Sequence, residues 1–168
     1  MQEIFILRHA QAEDLSDNSE KTDFERKLTN EGEIKTKKLG LFFNSLEEEV
    51  NLVLSSPYIR AKQTAEIFIS FLNPKPELKV VDFLASGASI KEIASSLLPY
   101  TLNNKIILVG HAPDLEIFLG KLVGAERIKL KKGAIAKVTL NNSVELSGEL
   151  VWLIIPKLLK KIKTKNNN

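Results

Sequence analysis

Short apolar runs alternate with helical apolar patterns along most of this chain, and the alternation predicts its architecture. Four runs have the length of buried strands, and each is followed by a polar stretch and then by apolar residues at helical spacing. These runs lie at residues 4–7, 51–55, 78–81 and 105–109. Repetition of strand and helix in this order predicts a mostly parallel sheet with helices on both faces.

Capping and breaking residues bound the four predicted helices. Thr29 is a good N-cap for the first helix, and Ser56 is the expected cap of the second. We expect the third helix at residues 90–98, where Pro99 stops it, and the fourth helix to start at Pro113.

The C-terminal part has a different pattern. Residues 133–140 and 149–155 are strand-like and are separated by turn residues, so they are expected to pair as a hairpin. The predicted fold is therefore an α/β three-layer sandwich: a mostly parallel central sheet, helices on both faces and a C-terminal hairpin that includes an antiparallel strand. Residues 1–156 are expected to form a single domain, followed by a basic tail at residues 157–168.

Composition narrows the functional classes. The chain has 168 residues and no cysteine, which excludes disulfides and thiolate metal sites. It begins without the features of a signal peptide and has no apolar run of roughly 20 residues, so we expect a soluble, cytoplasmic protein that does not interact with membranes. The net charge is +3, and much of the excess lies in the tail. No aromatic-interleaved basic patch is evident, so we expect no nucleic-acid binding, with a role for the lysine tail as a minor alternative.

The candidate chemistry lies at the ends of three predicted strands. Arg8 and His9 follow the first, Arg60 stands near the start of the second helix, and His111 follows the fourth strand. Taken singly, each has a structural explanation, such as a histidine bonded to backbone or an arginine in a surface ion pair. Because the carboxyl ends of parallel strands share one edge, we expect the four to converge. We expect Gly110 to permit a tight turn there and to leave room for a ligand.

The sequence predicts a pocket for an anion at this edge of the sheet, because two guanidiniums, two imidazoles and two helix N-termini converge there. A phosphoryl group is the ligand that this chemistry favours. The long polar loop at residues 11–27 is expected to form a wall or lid of that pocket.

These motifs resemble those of the histidine phosphatase superfamily, and within it the small SixA-type phosphohistidine phosphatases. The matching pieces, in family order, are Leu7-Arg8-His9-Ala10, the stretch from Asp23 to Gly32, Ser55-Ser56-Pro57, Arg60-Ala61, Gln63-Thr64-Ala65, Val109-Gly110-His111 with Pro113, and Lys132-Gly133-Ala134. The stretch from Arg26 to Gly32 and the short chain favour the SixA-like branch.

The resemblance implies an enzyme that needs neither metal nor cofactor. His9 would be the nucleophile, forming a covalent phosphohistidine that water then hydrolyses, while Arg8, Arg60 and His111 would bind the phosphoryl oxygens. Arg26 would order the long loop through Asp14 or Asp23, away from phosphate.

The proton donor is less clear from the sequence. Larger family members place a glutamate after the third strand, whereas residues 81–87 contain none here, and Asp82 is the sole candidate. A phosphorylated imidazole leaves more readily than an alkoxide, so the missing acid favours phosphohistidine on a signalling or phosphotransfer protein as the substrate. Two alternatives stay open: a phosphatase for small phosphomonoesters, and a phosphoprotein-binding module without turnover. The sequence does not indicate an oligomeric state.

Overall fold

The computed structural model describes residues 2–16, 21–101, 105–142 and 145–159. Within these ranges the chain forms six strands and five α-helices. The strands are β1 (Gln2–Arg8), β2 (Leu52–Ser55), β3 (Glu77–Val80), β4 (Ile106–Gly110), β5 (Ile135–Asn142) and β6 (Ser147–Ile154). The helices are α1 (Asn30–Asn44), α2 (Ile59–Ile69), α3 (Ile90–Thr101), α4 (Asp114–Leu122) and α5 (Pro156–Leu159). Two short 3₁₀ helices lie at Asp23–Glu25 and Asp82–Leu84.

The strands form one sheet in the order β3-β2-β4-β1-β5-β6. Neighbours from β3 to β1 run parallel, whereas β5 is antiparallel to both β1 and β6. The predicted fold class is thus confirmed, including the C-terminal antiparallel hairpin. Strand β3 lies at one edge of the sheet.

Alternate residues of the central strands bury opposite faces of the sheet. In β1, Ile4 and Ile6 pack in the layer that contains α3 and α4, whereas Phe5 and Leu7 pack against α1, α2 and α5. Strands that are buried on both faces read as continuous apolar runs, which is why the sequence pattern located β1, β2 and β4 so closely.

Two helix boundaries differ from expectation. The second helix begins at Ile59, with Tyr58 as its N-cap, so Ser56 does not cap it as predicted. The third helix continues past Pro99 to Thr101, whose side chain is buried and donates a hydrogen bond to the Leu98 carbonyl. Proline near a helix C-terminus removes a single backbone hydrogen bond, and the buried turn after it outweighs that loss.

The chain end that the structure describes packs on the first helix. Leu159 of α5 is buried in the same layer as α1. Most of the predicted basic tail, residues 160–168, lies outside the described residues. None of the helices in the described ranges has the length and apolar character that crossing a bilayer requires.

Strand register brings the residues that follow three strands to one edge. Arg8 lies opposite Gly110, and Ser55 lies opposite Val109. Beyond the paired residues, the His9 amide donates to the Gly110 carbonyl at 3.0 Å and the Ser56 amide donates to the Val109 carbonyl at 2.9 Å. The turns after β1, β2 and β4 are therefore tied to one another by backbone hydrogen bonds.

Candidate active site

His9 is held as a neutral imidazole with one free ring nitrogen facing a cation. Its Nδ1 lies 2.7 Å from the Ala10 carbonyl oxygen, and since a carbonyl can only accept, Nδ1 carries the proton. Nε2 then presents its lone pair and accepts a hydrogen bond from Arg60 Nε at 3.3 Å. This tautomer leaves the basic nitrogen directed at the cluster of cations.

Burial keeps His9 uncharged. The residue is 6% exposed, and desolvation lowers the pKa of His9 to about 3. The Ala10 carbonyl opposes that shift, whereas His111, Arg60 and Arg8 add to it by repulsion. At neutral pH the imidazole is therefore available as a nucleophile.

Arg60 contacts both histidines of the site. It is 4% exposed, and it lies in the first turn of α2, as the sequence predicted. Nη1 donates to the Asp23 backbone carbonyl at 2.6 Å, and Nη2 donates to the Asp23 carboxylate at 3.0 Å. Nη2 also lies 3.3 Å from His111 Nδ1, and the guanidinium stands over the Tyr58 ring at 4.9 Å.

His111 is oriented from the other side by Ser56. The Ser56 hydroxyl lies 2.8 Å from His111 Nε2 and also accepts the Tyr58 amide at 3.2 Å. Because Arg60 can only donate to Nδ1, Nε2 carries the proton in this arrangement and donates it to Ser56. Burial lowers the pKa of His111 to about 4, helped by repulsion from Arg60. The His9 and His111 rings lie 5.1 Å apart, centroid to centroid.

Arg8, the last residue of β1, precedes His9 in the chain and contacts a different set of partners. Its Nη1 donates to the Leu130 carbonyl at 2.7 Å and lies 3.8 Å from a Glu116 carboxylate oxygen. Its Nε is buried and has no acceptor among the described residues. Burial lowers the pKa of Arg8, with Glu116 acting in the opposite direction. The structure thus joins His9, Arg60 and His111 by direct contacts, and it places Arg8 beside them through the backbone of β1.

The loop after β1 reaches the site through Asp23. Arg26 Nη1 donates to the Asp23 carboxylate at 2.9 Å, and Arg26 Nη2 lies 3.9 Å from Asp14, which confirms the expected contacts of Arg26. Partial burial raises the pKa of Asp23, but the hydrogen bonds from Arg26 and Arg60 outweigh this and hold it below its usual range. The contact between Asp23 and Arg60 was missed because nothing in the sequence relates positions 37 residues apart.

Two sequence expectations near the site need correction or stay open. Gly110 ends β4 as regular strand, and a Cβ there would lie 3.3 Å from the Leu115 side chain. The missing side chain accommodates α4 packing, so the expected tight turn and ligand space were wrong. Asp82 is exposed, and its carboxylate makes no hydrogen bond or ion pair with the part of the chain that the structure describes.

Ser56 and Glu116 also contact the proposed site residues, although the sequence analysis did not assign them to the site. Each stands in a sequence context that could have indicated its role. Ser56 was interpreted as a helix cap, although a serine directly after a buried strand can equally serve a neighbouring turn. Glu116 interrupts the apolar stripe of the fourth helix, and a lone acid in such a stripe indicates a buried partner.

Known proteins are similar to this chain in sequence and in fold. The model of the histidine phosphatase superfamily (branch 1) matches residues 4–85, which include Arg8, His9 and Arg60. An uncharacterized protein of Picosynechococcus sp. is 36% identical over 116 residues, which are 67% of this chain and 68% of that protein. This chain belongs to the histidine phosphatase superfamily.

Among superfamily members, the chain is similar to SixA over nearly its whole length. The phosphohistidine phosphatase SixA of Escherichia coli is 26% identical over 164 residues, covering 96% of this chain and 98% of SixA. A structure of the protein histidine phosphatase SixA complexed with tungstate superposes with a TM-score of 0.82 at 25% identity, over 94% of this chain and 99% of that one. A structure described as a putative α-ribazole-5′-P phosphatase of Escherichia coli shares the fold, with a TM-score of 0.71 at 15% identity over 92% and 97% of the chains.

Proposed function

We propose that this histidine phosphatase hydrolyses phosphohistidine on a signalling or phosphotransfer protein in the cytoplasm. The observation that carries the proposal is the neutral His9, whose unprotonated Nε2 lies within hydrogen-bond distance of Arg60 and near His111. A nucleophilic nitrogen surrounded by buried donors suits attack on a phosphoryl group.

The reaction proceeds in two displacements. His9 Nε2 donates its lone pair to phosphorus while the P–N bond to the substrate imidazole breaks, and the departing nitrogen keeps the electron pair and takes a proton from solvent. Water then attacks the phosphorus on His9 and loses a proton. Inorganic phosphate leaves, and His9 returns to its starting form with Nδ1–H still on the Ala10 carbonyl.

Arg8, Arg60 and His111 bind the phosphoryl oxygens. Arg8 Nε is buried and has no acceptor within the described ranges, so a phosphoryl oxygen would satisfy this donor. A phosphoryl oxygen would replace the Asp23 carboxylate at Arg60 Nη2. If the Ser56 hydroxyl turns to donate to His111 Nε2, then Nδ1 carries the proton and donates to phosphate. Each such donor contributes on the order of 3 kcal/mol to transition-state stabilisation.

The choice of phosphohistidine over an alcohol phosphate rests on the carboxylates. An alkoxide leaving group needs a strong general acid. Asp23 is held ionised by two arginines, and Glu116 is 2% exposed behind Arg8. Asp82 is exposed, and its carboxylate makes no hydrogen bond or ion pair with any of the four proposed site residues. Because no acid is positioned for this role among the residues that the structure describes, cleavage of the weaker P–N bond is favoured. The similarity to SixA supports this choice, whereas the α-ribazole-5′-P phosphatase supports the fold alone.

Substrate comparison tests the proposal. We expect kcat/KM for a histidine-containing phosphotransfer domain, phosphorylated with phosphoramidate, to exceed that for sugar phosphates by at least about 10²-fold, since an unassisted alkoxide is the poorer leaving group. Release of inorganic phosphate measures both rates. Higher kcat/KM for a sugar phosphate would favour the small-molecule alternative.

Trapping of the intermediate tests His9. Rapid acid-free quenching of the wild-type enzyme with radiolabelled phosphoramidate should give protein-bound label that is lost in acid and stable in base. His9→Ala should carry no label and lose at least about 10³-fold in kcat, because the covalent route is closed. Circular dichroism and melting temperature control for folding. Absence of both label and turnover in the wild type would favour a binding module.

A further inference from the structure

Glu116 is the only fully buried acidic residue in the described part of the chain, with 2% of its surface exposed. It lies in the first turn of α4, shortly after His111. An ionised carboxylate is kept in such a place only when it is paired and hydrogen-bonded. The contacts of Glu116 therefore indicate its structural role.

The residue holds the segment 127–130 against α4. Its Oε1 accepts the Leu130 amide at 3.0 Å, and its Oε2 lies 2.8 Å from Arg127 Nη2. Its backbone carbonyl accepts the Ile128 amide at 3.0 Å. Leu130 is thereby fixed in position by a side chain of the helix that follows the His111 turn.

Leu130 in turn holds Arg8. Its carbonyl accepts Arg8 Nη1 at 2.7 Å, and the same Nη1 lies 3.8 Å from Glu116 Oε1. Glu116 Oε1 thus fixes Leu130, whose carbonyl accepts the hydrogen bond from Arg8. The same oxygen also lies close enough to balance the charge of the Arg8 guanidinium. At Nε, the guanidinium keeps an N–H donor that has no acceptor in the part of the chain that the structure describes.

We propose that Glu116 is a positioning residue for phosphate binding: through Leu130 it fixes the Arg8 guanidinium so that Nε–H is presented to the phosphoryl group. Glu116 itself does not touch the substrate. The inference rests on the proposed phosphate-binding role of Arg8.

Glu116 could affect phosphate binding through its negative charge or by positioning Arg8. The two explanations predict opposite changes in phosphate affinity for Glu116→Ala. Removing a negative charge near an anion site would tighten phosphate binding if charge alone mattered. Loss of the Leu130 anchor should instead weaken binding of inorganic phosphate about tenfold, the usual effect of a lost hydrogen bond to a charged group. Glu116→Gln keeps the Oε1 acceptor and should stay within about threefold of wild type. Titration calorimetry with inorganic phosphate measures all three proteins.

Two controls isolate the route through Arg8. Arg127→Gln removes the half-exposed outer partner of Glu116 and should change phosphate affinity less than about twofold. In an Arg8→Lys background, Glu116→Ala should have no further effect, because residues that act through one contact are not additive.

The outcomes are distinct. The inference is wrong if Glu116→Ala binds phosphate as tightly as the wild type or more tightly. It is also wrong if Glu116→Ala causes the same loss of affinity in the Arg8→Lys background. Either result leaves the proposed phosphatase function unaffected. A wild type that neither binds phosphate nor turns over would overturn both. If Glu116→Ala does not fold, Glu116→Asp takes its place, since it keeps the charge but withdraws the carboxylate from Leu130. It should weaken phosphate binding several-fold, and wild-type affinity in that variant would overturn the inference.

Discussion

At the scale of single residues, the site combines permanent positive charge with neutral imidazole. Desolvation keeps His9 and His111 uncharged, while the Arg60 guanidinium donates hydrogen bonds to Asp23. Neutral histidine is the form that can attack phosphorus or change tautomer, and arginine is the cation that does not titrate. The two histidines therefore depend on the fold for their protonation state.

This protonation state predicts a pH dependence of stability. The pKa of His9 is lowered to about 3 and that of His111 to about 4, from an ordinary value near 6.5. Below pH 6.5 the unfolded chain binds protons that the folded chain does not, so the free energy of unfolding falls as pH falls. We expect a loss on the order of 3 kcal/mol between pH 6.5 and pH 5, measured by urea denaturation.

The chain has only these two histidines, so His111→Gln provides a matched control. It should lose stability over the same pH interval about half as steeply as the wild type. A free energy of unfolding that stays flat from pH 6.5 to pH 5 in the wild type would contradict the prediction.

Ser56→Ala tests the orientation of His111. The variant removes the hydroxyl that lies 2.8 Å from His111 Nε2, so we expect kcat/KM to fall about tenfold. Ser55→Ala is the matched control, since Ser55 is equally buried but donates to the Ser56 backbone carbonyl. The control should retain activity within about twofold in phosphate-release assays, and equal losses in both variants would speak against a specific role for Ser56.

At the scale of elements, the site depends on connections between strand ends and the loops that follow. Gly133 precedes β5 with φ +73°, and its amide donates to the carbonyls of Arg8 and His9 at 3.1 Å. The antiparallel hairpin thus supports the backbone that carries the proposed nucleophile. The loop after β1 is anchored in a similar way, because the Thr29 amide donates to the Gln11 carbonyl at 3.0 Å.

Gly32→Ala tests that anchor. A Cβ at Gly32 would overlap the Gln11 carbonyl oxygen, so the loop and the N-terminus of α1 could not keep their present distance. We expect the free energy of unfolding to fall by about 2 kcal/mol. Lys37→Ala, on the exposed face of the same helix, should change it by less than about 0.5 kcal/mol. Equal values from urea denaturation would show that the close approach does not constrain the loop.

At the scale of the whole molecule, the proposed site is assembled from segments that are distant in the chain. The turns after β1 and β4 supply His9 and His111, and the first turn of α2 supplies Arg60. Asp23, in the 3₁₀ helix at Asp23–Glu25, accepts hydrogen bonds from Arg60. Residues 127–130 reach Arg8 from beyond α4. In the proposed reaction, side chains of the chain itself would therefore balance the charge of the phosphoryl group.

We expect turnover to survive removal of divalent metals for that reason. Phosphate release should be unchanged within experimental error after dialysis against EDTA, because two guanidiniums provide the positive charge that Mg²⁺ provides in other phosphoryl-transfer sites. A loss of activity that added Mg²⁺ restores would contradict the prediction.

The sequence alone determined the sheet, the approximate positions of four of the helices and the identity of the central cluster. Strands buried on both faces must be apolar along their length, so their ends are visible as the points where Arg8, His9 and His111 follow apolar runs. Parallel strands share an edge, so the convergence of His9, Arg60 and His111 followed from topology.

Only the tertiary structure decided which partners set the chemistry. The contacts of Arg60 with Asp23, of His111 with Ser56, and of Arg8 with Leu130 join positions far apart in the chain. Such pairs leave no periodic trace, because hydrogen bonds depend on where side chains meet and not on their spacing. Helix ends near Ser56 and Pro99 were misplaced for a related reason, since burial of the flanking residues outweighed local capping and breaking preferences.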